Sequence, residues 1–146
     1  MSVDAKADVY IDRARQDVAS IMFDPKCDRN WIGGLINVFP LTPGMLVKGS
    51  RVEHVGDFLG KRFSAMVVVT RDEPGTMAEL SVDEPFEMKV RYQLADSETG
   101  TNVSIRVKSI GENEFQLPAA LLNASVAKKI TGDLDRLKKH VETVVS

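Results

Sequence analysis

The sequence predicts an α+β protein in which a curved, seven-stranded antiparallel sheet wraps around one long C-terminal helix, with two short helices after strand 1. Two patterns predict it. Between residues 3 and 110, apolar and polar residues alternate along most segments, as in strands with one solvated face. From Pro118 the apolar residues recur every three or four positions, as on one face of a helix. The 146 residues have the length of one domain, so we expect a single domain over 1–146.

The first segment, residues 3–11, reads VDAKADVYI and alternates strictly, which predicts a half-buried strand. Asp12 follows it and is of a residue type that caps helices, so a helix is predicted over 13–22. The Asp24-Pro25 dipeptide stops this helix.

A second short helix is predicted over 25–31 because proline suits a first helical turn, where its missing N–H would be unpaired. The glycines Gly33 and Gly34 then end the helix and turn the chain into a strand over 35–39.

Residues 50–110 are predicted to form consecutive strands. Turn signals rich in Gly, Pro, Asp and Glu separate alternating segments, which predicts a consecutive antiparallel meander. Its strands are predicted over 50–58, 61–71, 76–82, 86–96 and 101–110.

The C-terminal helix carries one continuous apolar stripe, formed by Leu122, Val126, Ile130, Leu134, Leu137, Val141 and Val144. A helix of about 10 Å diameter is narrower than a seven-stranded sheet. The short helices therefore close the remaining gap, or the gap stays open as a cavity.

Composition excludes several classes of function. A net charge of -2 argues against nucleic-acid binding, since such proteins usually present a basic face. The longest apolar run, residues 65–69, is far shorter than the ~20 residues of a membrane-spanning helix. A single cysteine and an N-terminus without a secretory pattern predict a cytoplasmic protein. Two His and one Cys predict no metal site, and without a nucleotide-binding motif we expect no cofactor.

Taken in order, five segments resemble the START-like group, also called the polyketide cyclase/dehydrase and lipid-transport (SRPBCC) superfamily, which has the helix-grip fold. They are the opening strand with VYI, the short helices ending in Trp31, the TRDEPG turn, the TGTNV hairpin and the final LDRLKKHVE. The resemblance covers about residues 5–142. It implies a deep cavity between sheet and long helix, with its entrance near the short helices.

Within that resemblance, Trp31 matches the aromatic residue at the end of the second short helix. It is either a core anchor or a wall of the cavity. Cys27 reads as an inert thiol, because neither histidine is near it in sequence. The full set of candidate ligand-binding residues is Trp31, Phe58, Phe63, Met66, Met88, Tyr92, Asn123 and Val126.

His54 and Arg62 are the candidate catalytic residues. A histidine in an apolar cavity could act as acid or base near neutral pH. Alternation in the strand does not decide whether His54, or instead Glu53 and Asp57, faces inward. Arg62 could hold an acidic ligand group, although a solvated strand end explains it as well.

Three functions remain open on the sequence. The leading one is binding of a small, largely hydrophobic ligand, lipid- or polyketide-like, in the cavity. The second is an enzyme of the cyclase, dehydratase or hydrolase type, which should gather several ionisable groups there. The third is a protein-interaction module, such as a chaperone co-factor or toxin–antitoxin partner, which should expose an apolar patch.

Overall fold

The computed structural model of the chain describes residues 3–109 and 117–146. Its elements follow the predicted order of one strand, short helices, six strands and a long helix. The helices are α1 (Arg15–Met22), α2 (Asp28–Trp31) and α3 (Ala119–Val144), and a 3₁₀ turn at Pro25–Cys27 precedes α2. The strands are β1 (Asp4–Ile11), β2 (Leu35–Pro40), β3 (Arg51–Phe58), β4 (Lys61–Glu73), β5 (Met77–Val82), β6 (Met88–Asp96) and β7 (Thr101–Ser109).

The seven strands form one antiparallel sheet in the order β1-β7-β6-β5-β4-β3-β2. Strands β2 to β7 are a meander, and β1 adds to its far edge by pairing with β7. The predicted fold class is therefore confirmed. Ile110, predicted as the last residue of the strand over 101–110, lies outside the described residues.

Helix α3 lies against β1 and β7 and also contacts α1 and α2. Its predicted apolar stripe is buried from Leu122 to Val141, whereas Val144 in the last turn is exposed. Asp133 shares this buried side of the helix. Helix α3 packs at one side of the sheet and therefore leaves the inner face of the other strands uncovered.

Three predicted boundaries are wrong by two residues, including the end of the strand predicted over 61–71, which runs to Glu73. Helix α1 begins at Arg15 with Ala14 as its N-cap, so Asp12 does not cap it. The backbone N–H of Asp12 instead donates to Glu142 Oε2 at the end of α3 (2.9 Å). Strand β6 begins at Met88 rather than at residue 86, because its pairing with β5 starts at Met88 opposite Val82.

The turn from α2 into β2 requires glycine, as predicted. Gly34 has a φ of +83°, a left-handed conformation that favours glycine, and a Cβ built there would lie 2.6 Å from the backbone oxygen of Asp57. The same close approach lets the N–H of Asp57 donate to the carbonyl of Gly34 (3.0 Å). This turn fixes where α2 stands over the sheet.

No helix within residues 3–109 and 117–146 combines the length and apolar character needed to cross a membrane.

Candidate functional site

A cavity of about 130 Å³ lies between the inner face of the sheet, α2 and α3. Strands β3 to β7 supply most of its walls, and Val126 and Ile130 of α3 close one side. The volume is close to that of the ~150 Å³ apolar cavity known to bind benzene. The cavity therefore has room for about one aromatic ring.

Aromatic side chains form the wall beside α2. The rings of Trp31 and Tyr92 meet edge to face with centroids 5.6 Å apart, and Phe23 stacks on Tyr92 at 6.4 Å. Trp31 is 1% exposed. Such contacts hold large rings in fixed orientations, so this wall is rigid.

Two polar groups in this aromatic wall stand out. Burial raises the pKa of Tyr92 far above its usual range, and the nearby charges of Asp28 and Asp133 add to the shift. Tyr92 therefore keeps its phenolic proton. The indole Nε1 of Trp31 is buried and has no hydrogen-bond partner within residues 3–109 and 117–146. A buried donor without an acceptor costs free energy, so Trp31 could gain from an acceptor brought by a ligand.

His54 lines the cavity and is paired with a buried carboxylate. Its Nε2 lies 2.8 Å from Oδ2 of Asp28, and the exposed fractions of the two side chains are only 13% and 6%. Burial raises the pKa of Asp28, while the hydrogen bond from His54 opposes that shift. The residue therefore has the oriented partner that a catalytic or ligand-orienting histidine needs.

Asp133 is the second buried carboxylate at the cavity, and three donors satisfy it. It accepts hydrogen bonds from the backbone N–H of Gly33 (2.8 Å), from Lys129 Nζ (2.7 Å) and from Arg136 Nη2 (2.5 Å). Arg136 also donates to the carbonyl oxygen of Trp31 (3.1 Å). This network fastens α3 to the end of α2 and so holds the aromatic wall in place.

Six of the predicted ligand-binding residues lie around the cavity, together with His54. They are Trp31, Phe58, Phe63, Met88, Tyr92 and Val126. That these residues bind a ligand stays a prediction.

Three predicted site residues do not line the cavity. Met66 is three positions from Phe63 on β4, and residues an odd number apart on a strand face opposite ways. Arg62 lies on the outer face as well, where its Nε donates to Asp57 Oδ1 (2.5 Å). Asn123 turns toward the edge of the sheet, and its Oδ1 accepts from the N–H of Asp4 (2.9 Å).

Sequence reasoning missed Asp28, Lys129 and Asp133. Asp28 precedes Trp31 by three residues, so both lie on one face of α2, and this spacing was a usable signal. Asp133 follows Ile130 by three residues within the apolar stripe, which is unusual for a carboxylate. The pairing of Asp28 with His54 had no local signal, since 26 residues separate them.

Cys27 lies beside this site without taking part in it. Burial raises the pKa of its thiol, and the carboxylates of Asp24 and Asp28 raise it further. The reactive thiolate is therefore disfavoured, in keeping with the predicted inert thiol. Across the described parts of the chain, no three His, Cys, Asp or Glu side chains come together as metal ligands.

Solved structures share this architecture over nearly the whole chain. A START superfamily protein from Mycobacterium smegmatis matches with a TM-score of 0.83 at 11% identity, over 97% of this chain and 99% of its own. The chain has the START-like, helix-grip fold. Ara h 8.0201 matches with a TM-score of 0.74 at 10% identity, over 98% of this chain and 99% of its own.

A third match is DynU16, a protein in the dynemicin biosynthetic locus. The match covers 96% of this chain and 47% of DynU16, with a TM-score of 0.70 at 17% identity. No protein-family model matches the sequence, and neither does any curated protein. At identities this low, the structural matches establish the fold but not the ligand or the reaction.

Proposed function

We propose that this protein binds a small, largely hydrophobic ligand in the cavity between the sheet and α3. The observation that carries the proposal is the cavity itself, with aromatic and aliphatic walls and few polar groups. Ligand sites are typically concave and mostly apolar, with a few placed polar groups that fix orientation. The matched proteins share the fold, which supports a ligand-binding function without specifying the ligand.

The volume of the cavity limits the size of the ligand. The resemblance to START-like proteins implies lipid- or polyketide-like molecules, and about 130 Å³ favours a compact, ring-containing one over a long acyl chain. A cytoplasmic location, expected from the single cysteine, belongs to the same proposal.

Substitutions on the two faces of β4 test the proposal. Phe63 lines the cavity and Met66 lies on the opposite face, so Phe63→Ala should weaken binding of toluene while Met66→Ala leaves it unchanged. Binding is measured by calorimetry, with the free energy of unfolding of each variant checked because core truncations of Phe can cost roughly 3–5 kcal/mol. Equal toluene affinity in both variants would place the ligand elsewhere.

An enzyme on the same fold is the second candidate, and the Asp28–His54 pair favours it. The sequence suggested only an isolated histidine, whereas the folded chain gives it a buried carboxylate partner. If His54 transfers a proton, His54→Gln should lower turnover by ~10²-fold or more while ligand affinity changes little. Native mass spectrometry of protein purified from its own host can identify a co-purified small molecule, which then serves as the ligand in this assay.

A protein-interaction role is the third candidate. Four large apolar side chains are exposed along β2 and the loop after it: Phe39, Leu41, Met45 and Val47. Their exposure meets the expectation for an interaction module, without indicating what would cover them.

A further inference from the structure

His54 lines the cavity and has a ring nitrogen open to a ligand, as the unpaired indole N–H of Trp31 is. Its Nε2 faces Asp28, and no partner for Nδ1 is present among residues 3–109 and 117–146. Of the other ionisable groups at the cavity, Lys129 and Asp133 bind each other, Glu84 is exposed, and the phenol of Tyr92 stays neutral beside Trp31. His54 combines an open ring nitrogen with a buried partner that fixes its orientation.

The hydrogen bond to Asp28 determines which ring nitrogen of His54 donates and which accepts. When Asp28 is ionised it only accepts hydrogen bonds, and Nε2 of His54 then carries the proton that points to it. In the neutral ring, the remaining nitrogen, Nδ1, is then an acceptor. The cavity thus combines space for about one ring with one oriented acceptor.

We propose that the cavity selects a single-ring phenol, whose hydroxyl donates a hydrogen bond to Nδ1 of His54 while its ring packs among the apolar walls. This rests on the proposed function, because it names the ligand class for the same cavity. Asp28 acts as a positioning residue that fixes the tautomer and orientation of His54. A phenolic oxygen is also an acceptor, which suits the unpaired N–H of Trp31.

Three probe molecules of similar size test the preference for phenols separately from the general ability of the cavity to bind a ring. Toluene has only the ring, anisole adds an oxygen that accepts hydrogen bonds, and phenol adds an oxygen that also donates one. Calorimetry should show phenol binding about 5- to 10-fold more tightly than anisole, the effect of one net hydrogen bond. Anisole should bind at least as tightly as toluene, because its oxygen can accept from Trp31 Nε1 although it cannot donate to His54.

The two histidines allow a direct readout of the bond. In protein labelled with nitrogen-15 at histidine, phenol should shift the Nδ1 signal of His54, and anisole should not. The signals are assigned with His140→Gln, a residue of α3 that does not line the cavity. A shift that is equal for both probes would overturn the proposal.

A double variant checks the source of the selectivity. Asp28→Leu with His54→Leu removes both polar groups together, so no buried charge is left unpaired. This variant should lose the preference for phenol over anisole, while Met66→Ala, on the opposite face of β4, should keep both that preference and toluene binding.

These measurements distinguish a failure of the proposed binding function from a failure of the phenol proposal. If none of the three probes binds, the proposed function fails. If toluene binds but phenol shows no advantage over anisole, the phenol proposal fails and the binding function stands. A preference for phenol that persists in the double variant would assign the hydroxyl to another residue and overturn the role of His54.

Discussion

His54 hydrogen-bonds a carboxylate that is almost completely buried, and this is a costly arrangement. Burial disfavours the charged form of Asp28, as its raised pKa indicates. Replacing such a pair with apolar side chains is often neutral or stabilising, whereas breaking it leaves an uncompensated charge. The Asp28–His54 pair is therefore better explained by a role at the cavity than by stability.

A double-mutant cycle tests that explanation. We expect His54→Leu alone to lower the free energy of unfolding by about 3 kcal/mol at pH 7, and Asp28→Leu/His54→Leu to cost nothing or to stabilise the protein by about 1–4 kcal/mol. Urea unfolding measures both. A double variant destabilised by as much as His54→Leu alone would make the pair a net stabilising element, and losses that simply add would mean that the two residues are not coupled.

The pH dependence of His54→Leu has a defined sign. Because burial raises the pKa of Asp28 in the folded state, the native protein binds this proton more tightly than the unfolded chain does. The contribution of Asp28 to stability is therefore greatest in acid and is lost as the pH rises through the folded-state pKa. The stability deficit of His54→Leu should shrink as the pH falls, and urea unfolding at pH 5 and pH 7 should show it. A deficit that grows toward acid would contradict this assignment.

The turn between α2 and β2 positions Trp31 over the sheet, and its geometry depends on Gly34. A Cβ at Gly34 would meet both the left-handed backbone and the oxygen of Asp57, whereas a Cβ at Gly44, φ +89°, would meet nothing within 4 Å. We expect Gly44→Ala to cost about 1–2 kcal/mol, the strain of the left-handed backbone alone. Gly34→Ala should cost at least about 1 kcal/mol more, because of crowding. Equal losses in chemical unfolding would mean that the close approach to Asp57 is relaxed at no cost.

The C-terminal end of α3 is fastened through Glu142. Its carboxylate accepts from Lys138 Nζ (2.8 Å) and from the backbone N–H of Asp12 (2.9 Å), and these bonds hold the pKa of Glu142 below its usual range. A depressed folded-state pKa stabilises the protein above the unfolded pKa, and that stabilisation is lost as the pH falls through the folded value.

The protection of the amides in the last turn of α3 against hydrogen exchange, measured relative to the intrinsic exchange rate at each pH, should therefore fall in acid. Glu142→Gln should already exchange faster at neutral pH and respond less to acid, whereas the exposed Asp135→Asn on the same helix should behave like the natural protein. Identical profiles for Glu142→Gln and the natural protein would show that this contact contributes nothing.

The cavity follows from the proportions of the whole molecule. One helix cannot cover seven strands, and α3 lies over β1 and β7. The short α2 and its aromatic wall cover part of the rest. The uncovered space remains between them and the inner faces of β3 to β6.

The fold was predictable because each element carries a local pattern. Alternation identified the strands, and the spacing of apolar residues from Leu122 to Val141 identified α3. The site was predictable only in part. Strand parity puts Phe63 and Met66 on opposite faces of β4, so only one of them can line the cavity, but both faces of this strand are apolar and parity alone does not tell which. The Asp28–His54 pair depends on a contact between distant segments, which no local pattern contains.

Trp31 provides the test of whether a small apolar molecule binds between sheet and helix. It is the single tryptophan, it is buried, and it lines the cavity, so its emission reports on that space alone. Titration with toluene should produce a saturable change in Trp31 emission and in quenching by acrylamide, with the same dissociation constant as calorimetry. Calorimetric binding that leaves Trp31 emission and quenching unchanged, or no binding at all, would contradict a ligand site in this cavity.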